Sequence, residues 1–255
     1  MQKKITYEQP LSERVRTFLR LEFLFQQAHA YLAGNSVWDS RAALASILEI
    51  LSIFNRADLK TEAMKELERQ ISVLERLERN PGVDHQRLNV LLSEMDTLID
   101  QLHSAKGQVG QELRQNEFLN AIRQRSSIPG GTCDFDLPGY HFWLQQPVEL
   151  RRHQLEQWLK TFAVIEQSIK LVLRLIRDSA QPVKEIAEAG FFQKSLEPVP
   201  PCHLVRVTVP PGVPYFAEIS GGKHRFTVRF MELRMEERPV QAAEDVEFEL
   251  MCCII

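Results

Sequence analysis

A membrane-spanning helix needs a run of roughly eighteen or more apolar residues, and no such run occurs in the chain's 255 residues. The opening MQKKITYEQP also lacks the apolar stretch and small-residue cleavage site of a secretory signal. The protein is therefore expected to stay in the cytosol, with no membrane insertion. Cysteine is sparse, at Cys133, Cys202, Cys252 and Cys253, with no CxxC spacing. Cys252 and Cys253 are adjacent, and adjacent strand residues point to opposite faces. A disulfide framework or a structural zinc site thus has little support, no metal is expected, and the four read as free thiols in a reducing compartment.

Signatures of catalysis are missing too. There is no Gly-rich phosphate loop, HExxH or GxSxG motif, and Gly130-Gly131 lacks the glycine spacing and the Lys-Ser/Thr that a phosphate loop requires. Cys133 and His141 share a loop region and are the best thiol–imidazole candidates, with Cys202-His203 disfavoured because strand neighbours diverge. His141, inside the aromatic run YHFWL, reads rather as a packed or hydrogen-bonded histidine. The expectation is a protein that is not an enzyme and carries no cofactor. An overall excess of positive charge is absent as well: the net charge is −3, which disfavours a nucleic-acid binder. Arg123, Arg125, Arg151, Arg152, Arg174 and Arg177 are interleaved with glutamate and glutamine, without a basic recognition helix. They read as solvated helix faces.

What is present is ordinary globular composition, 44% hydrophobic and 25% charged, enough for a real core. Helical periodicity fills the first 180 or so residues. Phe18, Leu21, Phe25, Ala28 and Leu32 mark one helix that ends at Gly34-Asn35, and Asp39 reads as the N-cap of the next. Met64, Leu67, Ile71 and Leu74 face Leu88, Leu91, Met95, Leu98 and Leu102 across Asn80-Pro81-Gly82, with Asp84 as a cap. This predicts a long helical hairpin whose first arm turns Lys65, Glu66, Glu68 and Arg69 to water. After a break at Lys106-Gly107, another helix is predicted over residues 111–125, then an irregular linker. From Pro147 to Pro182 the heptad series Leu155, Trp158, Phe162, Ile165, Ile169, Val172 and Ile176 predicts one helix about 45 Å long.

Beyond that point the period changes to two. Prolines 198, 200, 201, 210, 211 and 214 punctuate the chain, and residues 203–209, 225–230 and 246–252 alternate as strands. Residues 5–8 are a candidate strand joining them. The predicted fold class is α+β: an N-terminal helical bundle with a long helical hairpin, and a small C-terminal antiparallel β-sheet domain. The expected division is a mainly helical domain over 1–181 and a mainly β domain over 182–255.

The most informative constellation lies on the middle run. Alternation turns Lys223, Arg225, Thr227 and Arg229 one way and Phe226, Val228 and Phe230 the other. No carboxylate occurs in residues 219–229, and Arg206 is a candidate extension of the patch. Two readings stay open on pattern alone. The arginines pair with the acidic cluster Glu236, Glu237, Glu244, Asp245, Glu247 and Glu249, or they grip the carboxylates of a docked peptide.

Five stretches carry a family resemblance: RVRTFLRLEFLFQQ, NPGVDHQRL, RQRSSIPGGTCDFDLPGYHFWL, ISGGKHRFTVRFM and FELMCC. In this order and at these positions they resemble the ZapD family. The resemblance implies a cytoplasmic cell division accessory protein, a homodimer with a helical and a β domain. Such a protein binds the C-terminal tail of FtsZ, cross-links and bundles FtsZ filaments, and so promotes assembly and stability of the Z-ring at midcell. It also implies a basic peptide site between the two domains, with Arg225, Arg229, Arg56 and His141 at matching positions. Lys223 is added from strand alternation alone. Where this sequence has Glu117 the family pattern carries arginine, and Arg114 and Arg123 are the nearby candidates to replace it. The competing reading is a helical scaffold or regulator that binds another acidic peptide or protein.

Overall fold

The computed structural model describes residues 4–55, 58–79, 82–105, 107–197, 199–222 and 224–254. Asn80 and Pro81 of the expected hairpin turn, and the expected breakers Lys106 and Pro198, lie outside them. The chain divides into two compact units, one drawn from Met1–Thr17 and Leu173–Ile255 and the other from Phe18–Val172. The architecture is α+β: nine helices and eight strands are described, with every strand pair antiparallel. Among the described residues no helix is long and apolar enough to cross a membrane.

The helices are α1 (Glu13–Leu32), α2 (Val37–Phe54), α3 (Leu59–Glu75), α4 (His85–Ser104), α5 (Gln111–Gln115), α6 (Glu117–Ser126), α7 (Pro138–Leu144), α8 (Val148–Lys160) and α9 (Ala163–Asp178). The cap of α2 is Ser36 rather than Asp39. Ser36 Oγ accepts from the Asp39 N–H at 3.0 Å, while the Ser36 N–H donates back to Asp39 Oδ2 at 2.9 Å. Asp39 is thus the third residue of a capping box. α3 and α4 pack against each other, and Asp84 caps α4 by accepting from the Arg87 N–H at 3.1 Å. One charge on α3 departs from the expected polar face. Glu66 is buried, bonded to the Arg69 guanidinium and accepting from Gln70 Nε2 at 3.2 Å.

Two predicted single helices are broken. Asn116 leaves helical geometry and caps α6 by accepting from the Leu119 N–H, which splits residues 111–125 into α5 and α6. The long helix from Pro147 to Pro182 is two, α8 and α9. At the break Thr161 N–H donates to Trp158 C=O and Phe162 N–H to Leu159 C=O. These are three-residue spacings that tighten one turn without disturbing the apolar phase, so Phe162 stays fully buried across the break.

The β unit holds two sheets. One orders β1 (Ile5–Pro10), β4 (Leu204–Val209), β8 (Val246–Cys253) and β2 (Val183–Ala187) as β1-β4-β8-β2. The other orders β3 (Phe191–Ser195), β6 (Arg225–Glu232) and β5 (Tyr215–Gly221) as β3-β6-β5, with β7 (Val240–Gln241) also paired to β6. The sheets share one core. Val205, Val207, Val209, Val246, Phe248 and Leu250 from the first meet Phe226, Val228 and Phe230 from the second, with the Phe230 and Phe248 rings 5.1 Å apart. Full burial of each phenylalanine contributes about 2–3 kcal/mol, and that anchors β6 in register.

On the opposite side of the first sheet Glu8 accepts from Arg177 Nη2 and from Arg206 Nε, each at 2.8 Å. Arg206 is therefore not an extension of the basic patch. Burial pushes the Glu8 carboxyl up, but the hydrogen bonds and charges of Arg177 and Arg206 outweigh it and hold the pKa below the usual 4.5. A lowered folded-state pKa adds stability above the unfolded value, and that stability is lost as pH falls through the folded value. Glu8→Gln is thus expected to cost about 1–3 kcal/mol at pH 7, measured by urea unfolding. The gap to the parent protein should close progressively below pH 4.5. A gap that stays constant down through that range would show that the charge is not what matters.

Candidate functional site

β6 is the central strand of its sheet, and its burial alternates residue by residue: Phe226, Val228 and Phe230 inward, Arg225 and Arg229 outward, Thr227 between them at the surface. Successive strand residues face opposite ways, so the three buried rings and branches force both guanidiniums to water. Among the described residues neither arginine side chain forms a hydrogen bond or an ion pair. Four of the six residues of the acidic cluster that was one candidate partner are engaged elsewhere. Glu249 pairs with Lys4 at 2.8 Å, Glu237 with Arg234 at 3.2 Å, Glu244 accepts from the Tyr215 hydroxyl, and Asp245 accepts from the Ala189 N–H. Two cations share one sheet face, with Glu218 opposite Arg229 as the carboxylate on the adjoining strand, and this local excess of positive charge suits an anionic ligand.

Cross-strand register supplies the surroundings of each arginine. Arg229 lies opposite Phe191 on one side and Glu218 on the other. Arg225 lies opposite Ser195, and Thr227 between them lies opposite Gln193 and Ser220. Sequence reasoning missed Phe191 because it did not identify β3. The available signal was the Ala-Gly dipeptide ahead of FFQKS. Gly190 has φ +70°, and a side chain there would strike Ala242 at 2.8 Å, so only glycine makes the turn that delivers Phe191 to the rung of Arg229.

The remaining expected site residues belong to the helical unit or fall outside the described residues. Arg56 and Lys223 are in the second group. His141 sits on α7, exposed, with Tyr140 and Trp143 buried beside it. Its ring makes no hydrogen bond among the described residues, contrary to the packed or bonded histidine expected. Nor does it pair with Cys133, whose Sγ donates to Asp136 Oδ2 at 3.3 Å. The buried aromatics have their own partners: Tyr140, Trp143 and Trp158 stack in series with centroids about 6 Å apart, and Arg41 lies 4.9 Å over Tyr140. α7 is thereby pinned with His141 and Phe142 outward.

Glu117 is the first residue of α6 and exposed, where a carboxylate suits the helix N-terminus. Arg114 is not available as its substitute, because its guanidinium donates to the Val109 and Phe54 carbonyls at 2.9 and 3.3 Å. Arg123 is exposed and has no side-chain partner among the described residues. Arg151 and Arg152 were expected on solvated faces and are structural instead. Arg151 is buried and donates to Ser40 Oγ at 2.7 Å and to the Ser36 carbonyl, while Arg152 donates to the Leu32 carbonyl. Among the described residues no group of three or more His, Cys, Asp or Glu side chains is placed to hold a metal ion.

Comparison with known proteins bears on this arrangement. Residues 19–229 match the family model described as "ZapD: Cell division protein". The chain is 46% identical over its full length to the Cell division protein ZapD of Methylococcus capsulatus, all of which is covered. It is 40% identical to the protein of that name from Aromatoleum aromaticum, over 99% of this chain and 98% of the relative. To that of Coxiella burnetii it is 38% identical, over 98% of each.

Proposed function

Because the chain belongs to the ZapD family of cell division proteins, we propose that it binds the C-terminal tail of FtsZ and, as a homodimer, cross-links FtsZ filaments into bundles. Bundling promotes the assembly and stability of the Z-ring in the cytoplasm at midcell. The observation that carries this reading is the pair of exposed arginines on β6, Arg225 and Arg229, left without a partner among the described residues. Arg56, Lys223 and His141 complete the proposed peptide site. A guanidinium fork donates two parallel hydrogen bonds to a carboxylate, so an acidic tail is the ligand that this face suits. The reading needs no covalent step, cofactor or metal.

A tail held by a few exposed ion pairs and one apolar contact binds weakly, with Kd on the order of micromolar. Two sites on a dimer, facing many tails on one polymer, raise the apparent affinity roughly 10²–10⁴-fold through effective concentration. Filaments are then bundled firmly while each tail exchanges quickly. Co-sedimentation with FtsZ filaments tests the reading. Intact FtsZ should carry the protein into the pellet, FtsZ lacking its C-terminal tail should not, and binding should weaken as salt rises because exposed charges are screened over ~8 Å at physiological ionic strength. Equal pelleting with tailless filaments would assign the partner surface elsewhere.

A further inference from the structure

The outward face of β3-β6-β5 is not uniform. At the Arg225 end its neighbours are Ser195, Thr227, Gln193 and Ser220, all small or polar. At the Arg229 end, apart from Glu218 across the strand, they are apolar. Phe191 lies on the same rung, and Met231 and Phe216 form the next rung out. Phe191 is 39% exposed, although the following Phe192 turns inward, 5.2 Å from the Phe248 ring. A single exposed apolar side chain on a surface needs no explanation. Phe191 is not isolated in that way: half-buried Met231 and Phe216 lie one rung further along the same face, and apolar surface beside the Arg229 guanidinium excludes water and strengthens any carboxylate bond made there.

We infer that this face reads an extended segment of the FtsZ tail through two carboxylates and one apolar side chain, with Phe191 as the apolar anchor beside Arg229. The inference rests on the tail-binding reading and specifies its chemistry. Arg225 and Arg229 are four residues apart on one strand, so their Cα atoms lie about 13 Å apart at ~3.3 Å per residue. An extended ligand matches that spacing with acidic residues four positions apart. The carboxylate at Arg225 sits in a polar, wet setting and supplies mainly salt-dependent attraction. The carboxylate at Arg229 is flanked by an apolar ligand side chain against Phe191, with Glu218 across the strand closing that side to further negative charge. Phe191 therefore determines specificity for an apolar residue next to an acid.

Fluorescence anisotropy of a labelled FtsZ tail peptide, titrated with the full chain across a salt series, tests this. Phe191→Ala is expected to weaken binding about tenfold, the loss typical of an aromatic anchor, while leaving the slope of log Kd against log salt unchanged. Phe191→Leu should restore affinity to within about threefold, since an apolar side chain of similar size remains. Arg225→Ala should reduce that slope. Circular dichroism and melting of each variant report the fold independently, and the leucine variant keeps the test decisive if the alanine variant melts early. Parent-like affinity of Phe191→Ala, with binding still lost when the two arginines are reversed, overturns the anchor and leaves the tail reading intact. A reduced salt slope in Phe191→Ala also overturns it, because the ring would then act by placing Arg229. Indifference of peptide binding to all three positions overturns both.

Discussion

Reversing both charges on β6, Arg225→Glu with Arg229→Glu, is expected to abolish co-sedimentation with FtsZ filaments while leaving the protein folded and its assembly state unchanged. The size of the effect follows from two multiplications. Each reversal replaces an attraction for a carboxylate with a repulsion, and like-charge contacts at an interface cost as much as or more than the favourable pair contributes. A dimer that bundles must also engage two tails at once, so a loss at one site is repeated at the other and the gain from effective concentration disappears. The fold should change little. Both side chains are exposed and form no hydrogen bond or ion pair among the described residues, so the one cost is the like-charge rung that Arg229→Glu makes with Glu218, up to about 1 kcal/mol. Melting lowered by no more than about 4 °C and an unchanged elution volume are therefore part of the expectation. A double variant that bundles as the parent does would remove the β6 face from the binding surface and turn attention to the exposed, unpaired Arg123 on α6.

Arg151→Ala is expected to destabilise the helical unit strongly, lowering stability by about 2–4 kcal/mol and the melting temperature by on the order of 10 °C. Arg151 is 5% exposed. Its guanidinium donates to Ser40 Oγ at 2.7 Å, to the Gln146 carbonyl at 3.1 Å, and to the Ser36 and Asn35 carbonyls at 3.3 Å each. One side chain thus joins the α1–α2 connection, the start of α2 and the entry to α8. Alanine deprives those carbonyls of their donors and opens a cavity in the same place. Lysine offers one compact ammonium where a planar fork reaches several acceptors, so Arg151→Lys should recover only part of the loss. Arg123→Ala serves as the comparison, with a change within about 0.5 kcal/mol. Equal melting of Arg151→Ala and Arg123→Ala would show that these bonds are not what holds the connection.

Local signals were legible wherever one period or one short motif decides the outcome. The alternation of residues 225–230 tells which residues of β6 face water, because a strand has only two faces. The N-cap of α4 at Asp84 was equally plain. Misplaced boundaries have local causes too. Ser36 and Asp39 are both capping residue types, and only the backbone, extended at Ser36, tells which of them caps α2. The α8–α9 break was invisible because one tight turn keeps the apolar seam in phase. Charged residues are where local pattern says least. Arg151, Arg152 and Glu66 look like any solvated helix face, yet what each meets is a carbonyl or a side chain supplied by packing.

For the candidate site the division is sharper. The sequence by itself determined that Arg225 and Arg229 share one face of a strand, since that follows from alternation and the three apolar residues between and beside them. Only the tertiary structure decided that the two cations are free of the acidic cluster near the C-terminus and that Phe191 and Glu218 flank Arg229. Those facts depend on β6 pairing with β3 and β5, strands whose residues opposite it are set by register. Register is fixed by burial of Phe226, Val228 and Phe230 in a core shared with another sheet, and a shift of one residue would turn every one of these side chains to the other face.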